Sequence, residues 1–217
     1  MPVKKDTLTQ KVTELKKSTP KRNFKQSIEL LMSLKDLDLK KPESRMELSV
    51  EMPHPIEKPV KICVVASGDL AVRAKNAGAD LVLEKSELEE AAKDKKAAKK
   101  IANEYTHFIA ETTLMPLVGK TLGSILGPRG KMPTPVPPNV SIEEVINKHR
   151  RTVKIRVRDQ LAVRCRVATE DMSEELIAEN VQAVVSGIES KLDKGERNVA
   201  RIKLKATMGK PVEIPLK

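Results

Sequence analysis

The chain has 217 residues, with 41 Lys and Arg against 30 Asp and Glu, a formal charge of +11. A protein this basic meets polyanions, either nucleic acid or an anionic membrane. It has no Trp, one Tyr (Tyr105) and two Phe (Phe24, Phe108), too few rings for a platform that stacks unpaired bases.

In chain order, residues 6–17 read as a helix and 24–34 as a strand. In that strand Lys25, Ser27 and Glu29 share the polar parity, and Phe24 falls on the apolar one. A turn at 40–43 leads to a strand at 46–52. The proline-rich stretch 52–59 reads as a stiff connector. Residues 61–66 form a continuous apolar strand, and a helix opens at Gly68-Asp69 and runs to 75, with Asp69 as its expected cap. Then come a short strand (80–83), a charged helix (88–105), a strand (106–110) and a helix (114–126) that ends at Gly127. A second proline-rich stretch, 133–138, reads as another connector. Helix 142–150 follows, with Ser141 and Glu144 as a capping box. Apolar strands alternating with helices predict a parallel sheet covered on both faces.

After residue 150 the pattern changes. Strands are expected at 152–158 and 161–168, joined at Asp159-Gln160. A helix at 173–192 shows Leu176, Ile177, Val181, Val184, Val185 and Ile188 on one face, and a last strand spans 199–206. Neither terminal part has enough elements to close a core alone. Together they make an antiparallel sheet with two helices on one face. The predicted fold is therefore a two-domain α/β and α+β protein. One discontinuous domain, 1–60 with 151–217, is a split antiparallel α+β sandwich, and 61–150 is an inserted Rossmann-like α/β domain. Residues 1–60 carry +4 and 151–217 carry +4, together +8 of the +11.

The cations of the terminal parts alternate with apolar residues. Lys154, Arg156 and Arg158 lie on one strand, Arg164 and Arg166 on the next, and Arg201, Lys203 and Lys205 on the last. A period of two places all eight on the open face of the sheet. One basic strand is an ordinary solvated face. Three without acidic partners point to a polyanion site.

Other chemistry fails on spacing. The Gly-Lys pairs at 119–120, 130–131 and 209–210 lack the upstream Gly of a phosphate loop, and Ser67-Gly68-Asp69 puts an acid where a dinucleotide fold needs glycines. His54, His107 and His149 lack metal-ligand spacing, so neither a metal nor a cofactor is expected. No catalytic constellation is defensible. Cys63 and Cys165, in apolar runs, read as reduced core thiols of a cytosolic protein. The longest apolar stretch, 62–66, is too short for a bilayer, and no apolar run follows Met1, so neither membrane nor secretion is expected. The segment 119–133 is either a helix with a glycine cap and a proline stop or a rigid basic loop, with Arg129 and Lys131, that meets a partner.

That loop carries a resemblance. Leu126-Gly127-Pro128-Arg129-Gly130-Lys131-Met132-Pro133 resembles the signature of the ribosomal protein L-one family. Thr207-Met208-Gly209 with Pro211 resembles its C-terminal motif, and Arg22-Asn23-Phe24 with Glu29 its first RNA-facing strand. Residues 35–43 followed by Arg45 are similar to the archaeal branch. The match spans essentially the whole chain. Lys210 between Gly209 and Pro211 departs from the usual pattern. The resemblance implies a non-catalytic constituent of the large subunit, monomeric when free of the ribosome. Its split domain would bind large-subunit rRNA at the mobile stalk. It would also repress translation by binding its own mRNA, and help release exit-site tRNA. The RNA-facing residues would be Arg22, Phe24, Lys25, Glu29, Arg164, Arg166, Arg201, Lys203, Lys205, Thr207, Met208 and Gly209, with Arg129 and Lys131 secondary.

Residue chemistry agrees with that implication in part. Gly209 would let backbone approach a sugar–phosphate, and the Thr207 hydroxyl both donates and accepts, as a 2′-OH does. Glu29 either selects a 2′-OH or base amino group or pairs with a strand cation. Phe24 reads more readily as core than as a contact, and Met208 suits either. A nucleotide-dependent enzyme and a DNA-binding architectural protein stand as rivals.

Overall fold

A computed structural model describes residues 5–38, 46–56, 60–157 and 160–216. The chain forms two compact units, one of residues 1–58 and 151–217, the other of residues 59–150.

The first unit is built on a four-stranded antiparallel sheet. Its strands are β1 (Ser27–Leu34), β8 (Ala162–Thr169), β9 (Val199–Ala206) and β10 (Val212–Ile214), in the order β10-β9-β1-β8. Alternation along β1 buries Ile28, Leu30, Met32 and Leu34 on one face. They join Val163, Cys165, Val167, Ile202 and Leu204 in one core. Two helices close that core. Helix α1 (Lys5–Ser18) contributes Leu8, Val12 and Leu15, a 3–4 spacing that makes one helical stripe. Helix α8 (Glu174–Glu189) contributes Ile177, Val181, Val184 and Ile188, and its Ser173 cap accepts the Leu176 N–H. Both cysteines are free thiols in the cores, and burial pushes each up to about 12.

Two expectations about this unit are corrected. Strands β2 (Glu47–Glu51) and β7 (Thr152–Arg156) do not join the main sheet but pair with each other as a separate antiparallel ribbon. Lys154 and Arg156 therefore leave the expected array. Arg156 faces Glu47 at 3.7 Å, and burial lowers the Lys154 ammonium from its ordinary value. Arg158, the turn at 40–43, Asp159 and residues 39–45 of the archaeal-like stretch lie outside the described residues. Strand β10 was not expected. It is three residues long and follows directly on a turn and Pro211, so periodicity has nothing to count.

The second unit is a parallel sheet of β3 (Ile62–Val65), β4 (Leu81–Leu83), β5 (His107–Glu111) and β6 (Thr134–Val136), ordered β4-β3-β5-β6. Helices cover both faces, as the alternation predicts. α2 (Gly68–Asn76) and α7 (Ile142–Arg151) pack on Ile62, Val64 and Ile109. α3 (Lys85–Lys93), α4 (Lys95–Glu104), α5 (Met115–Thr121) and α6 (Gly123–Arg129) pack on Cys63, Val65 and Phe108.

Here too the sequence reading needs amendment. The 133–138 stretch is not a free connector, because it holds edge strand β6, where Pro135 has no inner ladder to break. The helix expected over 88–105 is two, broken where Asp94 turns extended and caps Lys96 N with its carboxylate. The helix expected over 114–126 is two, α5 and α6 on either side of Leu122, and α6 does not stop at Gly127 but continues through Pro128 to Arg129, where Gly130 (φ 66°) caps it in the left-handed region. The N-cap of α2 is Ser67, not Asp69, which instead pairs with Arg73 one turn on at 2.8 Å.

Candidate nucleic-acid interface

The helix-free face of the four-stranded sheet carries the alternate residues of each strand. β1 presents Ser27, Glu29, Leu31 and Ser33, β8 presents Arg164 and Arg166, β9 presents Arg201, Lys203 and Lys205, and β10 presents Glu213. Register aligns them in rows. Glu29 lies between Arg166 and Lys205. Leu31 lies between Arg164 and Lys203, with Glu213 beyond, and Ser33 lies beside Arg201. Cations on one strand stand about 6.8 Å apart. Like charges in one row repel, and Glu29 on the central strand relieves this. Its Oε2 accepts both Nε and Nη2 of Arg164, at 2.8 and 2.7 Å. The salt-bridge reading of Glu29 is thus realised in the free protein. Lys203 faces Glu213 at 3.8 Å. Burial lowers the Arg166 guanidinium from its ordinary value, and Glu29 raises it in part.

The turn after β9 is tied to the start of β1. The Thr207 hydroxyl donates to Ser27 O and accepts Ser27 N–H, both at 3.2 Å, while Thr207 N–H also donates to Ser27 O. Met208 N–H donates to Gln26 Oε1 at 3.1 Å. Lys205 Nζ reaches the Thr207 carbonyl at 3.1 Å. At Gly209 an added Cβ would stand 3.0 Å from Thr19 Oγ1 and 3.1 Å from the Ala206 Cβ, so a larger residue there needs its neighbours to shift by a few tenths of an ångström.

Gln26, which the sequence reading passed over, organises this corner. It is fully buried. Its Nε2 donates to Pro20 O, its backbone N–H to Glu170 Oε1, and its Oε1 holds Met208. A Gln before a strand carries no signal of partners 144 and 182 residues away. Nor does sequence reveal that Asp171 pairs with Lys25 at 2.7 Å.

Phe24 is corrected from its core reading, and of the two readings of Met208 the exposed one holds. They are 50% and 55% exposed. Phe24 precedes β1, whose ladder starts at Ser27, so strand parity does not extend to it. Arg22 lies near by, on the rim of a cavity beside Thr19.

Arg129 and Lys131 are not gathered with these residues. Lys131 Nζ donates to the Ala102 and Tyr105 carbonyls at 2.8 and 2.7 Å, and Arg129 Nη1 to Lys99 O at 3.3 Å. Lys131 thus caps the end of α4, whose orphan carbonyls and negative dipole end favour cations, and Arg129 binds a turn earlier on the same helix.

The switch point of the second unit bears on the reading as a nucleotide-dependent enzyme. In a doubly wound sheet, ligands sit between the C-terminal ends of strands at the switch in strand order, which is β3/β5. That position is filled by Glu111. Its Oε2 accepts the N–H and Oγ of Ser67 at 3.0 and 2.8 Å, and its Oε1 accepts Thr113 Oγ1 at 2.6 Å. The Thr113 bond above all holds this carboxyl below its ordinary range, so it stays an anion and repels phosphate. Among the described residues no group of three or more His, Cys, Asp or Glu side chains is placed to hold a metal, and no helix is long and apolar enough to cross a membrane.

Comparison with known proteins agrees in one direction. The model of the ribosomal protein L1p/L10e family matches residues 15–210. The large ribosomal subunit protein uL1 of Methanothermobacter thermautotrophicus is 48% identical over 203 residues, covering 94% of this chain and 96% of the relative. Its namesakes in Thermofilum pendens and Hyperthermus butylicus are each 47% identical. They cover 95% and 99% of this chain, and 92% and 99% of their own.

Proposed function

The chain belongs to the ribosomal protein L1p/L10e family, and from that premise we propose that the open face of its four-stranded sheet binds large-subunit rRNA. It is a ribosomal protein and not an enzyme, at work on the ribosome in the cytoplasm. The observation that carries the reading is the array of Arg164, Arg166, Arg201, Lys203 and Lys205 on one face, bounded by the Thr207–Gly209 turn. Such a face, rich in cations and poor in rings, recognises folded RNA through phosphates, 2′-OH groups and shape. Thr207, Met208 and Gly209 form the edge against which a sugar would rest, with exposed Phe24 and Met208 as apolar contacts. Arg22 and Lys25 extend the positive field. Glu29 exchanges Arg164 for an RNA donor on binding, which favours RNA that supplies one.

The same reading covers the stalk position and two further roles. A face that reads a folded site binds any RNA that carries a copy of it, so the protein's own mRNA is a second ligand and a route to translational repression. Exit-site tRNA release belongs to the same stalk. The test is full-chain binding to an rRNA fragment across salt. About six neutralised phosphates give a slope of log K on log salt near −4 to −6, and Lys203→Ala or Lys205→Ala each lowers it by about one. A flat salt response contradicts the reading.

A further inference from the structure

Beside the Thr207–Gly209 turn, where α1 ends against the buried side of the sheet, lies a cavity. The segment between α1 and β1, the residues after β8 and the end of β9 surround about 360 Å³, the size of pockets that take small organic groups. Its floor is apolar and almost fully buried, made by Leu15, Ile28 and Ala206. Its lining also carries both signs of charge, Lys16, Lys21 and Arg22 with Glu170 and Asp171. One oxygen of each carboxylate is engaged, Glu170 Oε1 by Gln26 N–H and Asp171 Oδ2 by Lys25 Nζ. A carboxylate offers two acceptor oxygens. The cavity is continuous with the candidate interface, because Thr19 and Ala206, which line it, are the residues that hem in Gly209.

We propose that this cavity receives one unstacked nucleobase of the bound RNA, with a flanking phosphate on Arg22 and Lys21. The proposal rests on the reading of the open face as the RNA site. An aliphatic floor accepts the flat face of a base without an aromatic partner, in keeping with a chain of three rings. The carboxylates accept from exocyclic amino groups, which adenine, cytosine and guanine carry and uracil does not. The cations match the backbone on either side of an extruded nucleotide. A base that is already unpaired costs least to extrude.

The test uses the full chain and a large-subunit rRNA fragment in which each unpaired nucleotide is made abasic in turn. The wild type is expected to lose about tenfold in affinity at one position and little elsewhere. Thr19→Phe, which fills the cavity from its rim, is expected to lose the same factor on intact RNA and nothing more on that abasic RNA. Glu170→Gln, the milder variant, is expected to narrow the preference for an amino-bearing base over uracil there. Normal binding with no position that distinguishes wild type from Thr19→Phe, or from Glu170→Gln, overturns the cavity proposal alone. A wild-type chain that binds no rRNA fragment overturns the open face and the cavity together.

Discussion

At the scale of single residues, the groups proposed to face RNA also hold the protein together. Thr207 shows this. Its hydroxyl bonds the Ser27 backbone in both directions, so Thr207→Val is expected to cost about 1 kcal/mol of stability as well as RNA affinity. Urea melts beside binding isotherms check both. An affinity loss with unchanged stability would mean that the hydroxyl is held for RNA alone. Gly209 has a similar double basis, since Thr19 and Ala206 crowd the place of a Cβ. On the far side of the unit, Glu179 takes Lys5 Nζ at 2.8 Å and His54 Nε2 at 2.5 Å, and these bonds, that of Lys5 first, lower its carboxyl to about 2. A carboxylate depressed on folding adds stability above its unfolded value and loses it as pH falls through the folded one. The contribution is therefore whole above about pH 5 and gone near pH 2. Glu179→Gln is expected to flatten the stability profile across that window. A profile unchanged by the substitution contradicts the pairing.

At the scale of elements, the strands and helices were legible wherever a period had room to repeat. β1 alternates over its eight residues, β8 over 162–167 and β9 over 201–206, and α8 shows its stripe over sixteen. The basic parity of β8 and β9 was therefore readable in advance. What was not readable depended on partners distant in sequence. The β2–β7 ribbon takes Lys154 and Arg156 off the main face, because a strand's parity does not say which sheet it joins. The 119–133 segment carried its glycines and cations openly, yet the partners of its cations follow from α4 lying beside it. Lys131→Met is thus expected to lower the melting temperature by removing two cap bonds, and to leave rRNA affinity within about twofold. A large affinity loss in a folded variant would restore the loop to the RNA site. Packing makes a sharper prediction. A Cβ on Gly187 in α8 would stand 2.8 Å from Val50 Cγ2 in β2, so Gly187→Ala is expected to destabilise by about 1–3 kcal/mol. Val50→Ala in the same chain should recover part of that loss. Additive losses instead would show that the helix and ribbon do not meet there.

At the scale of the whole molecule, charge and topology separate two kinds of surface. The unit of residues 1–58 and 151–217 exposes an open sheet face with five cations and the Thr207–Gly209 edge. The unit of residues 59–150 has a parallel sheet covered on both faces, and its switch point is filled by the ionised Glu111. The proline stretch at 52–59 marked the crossing between them in the sequence, but no local pattern could reveal Gln26 or Glu111, each defined by a partner far along the chain. The central claim is that RNA affinity resides in the first unit. It is tested most directly by one measurement, the salt-dependent binding of an rRNA fragment to a single chain that joins residues 1–58 to 151–217. The account predicts a folded protein whose affinity lies within about tenfold of the full chain and whose salt slope is the same. A folded protein that has lost nearly all affinity would contradict it and move the principal site to the other unit.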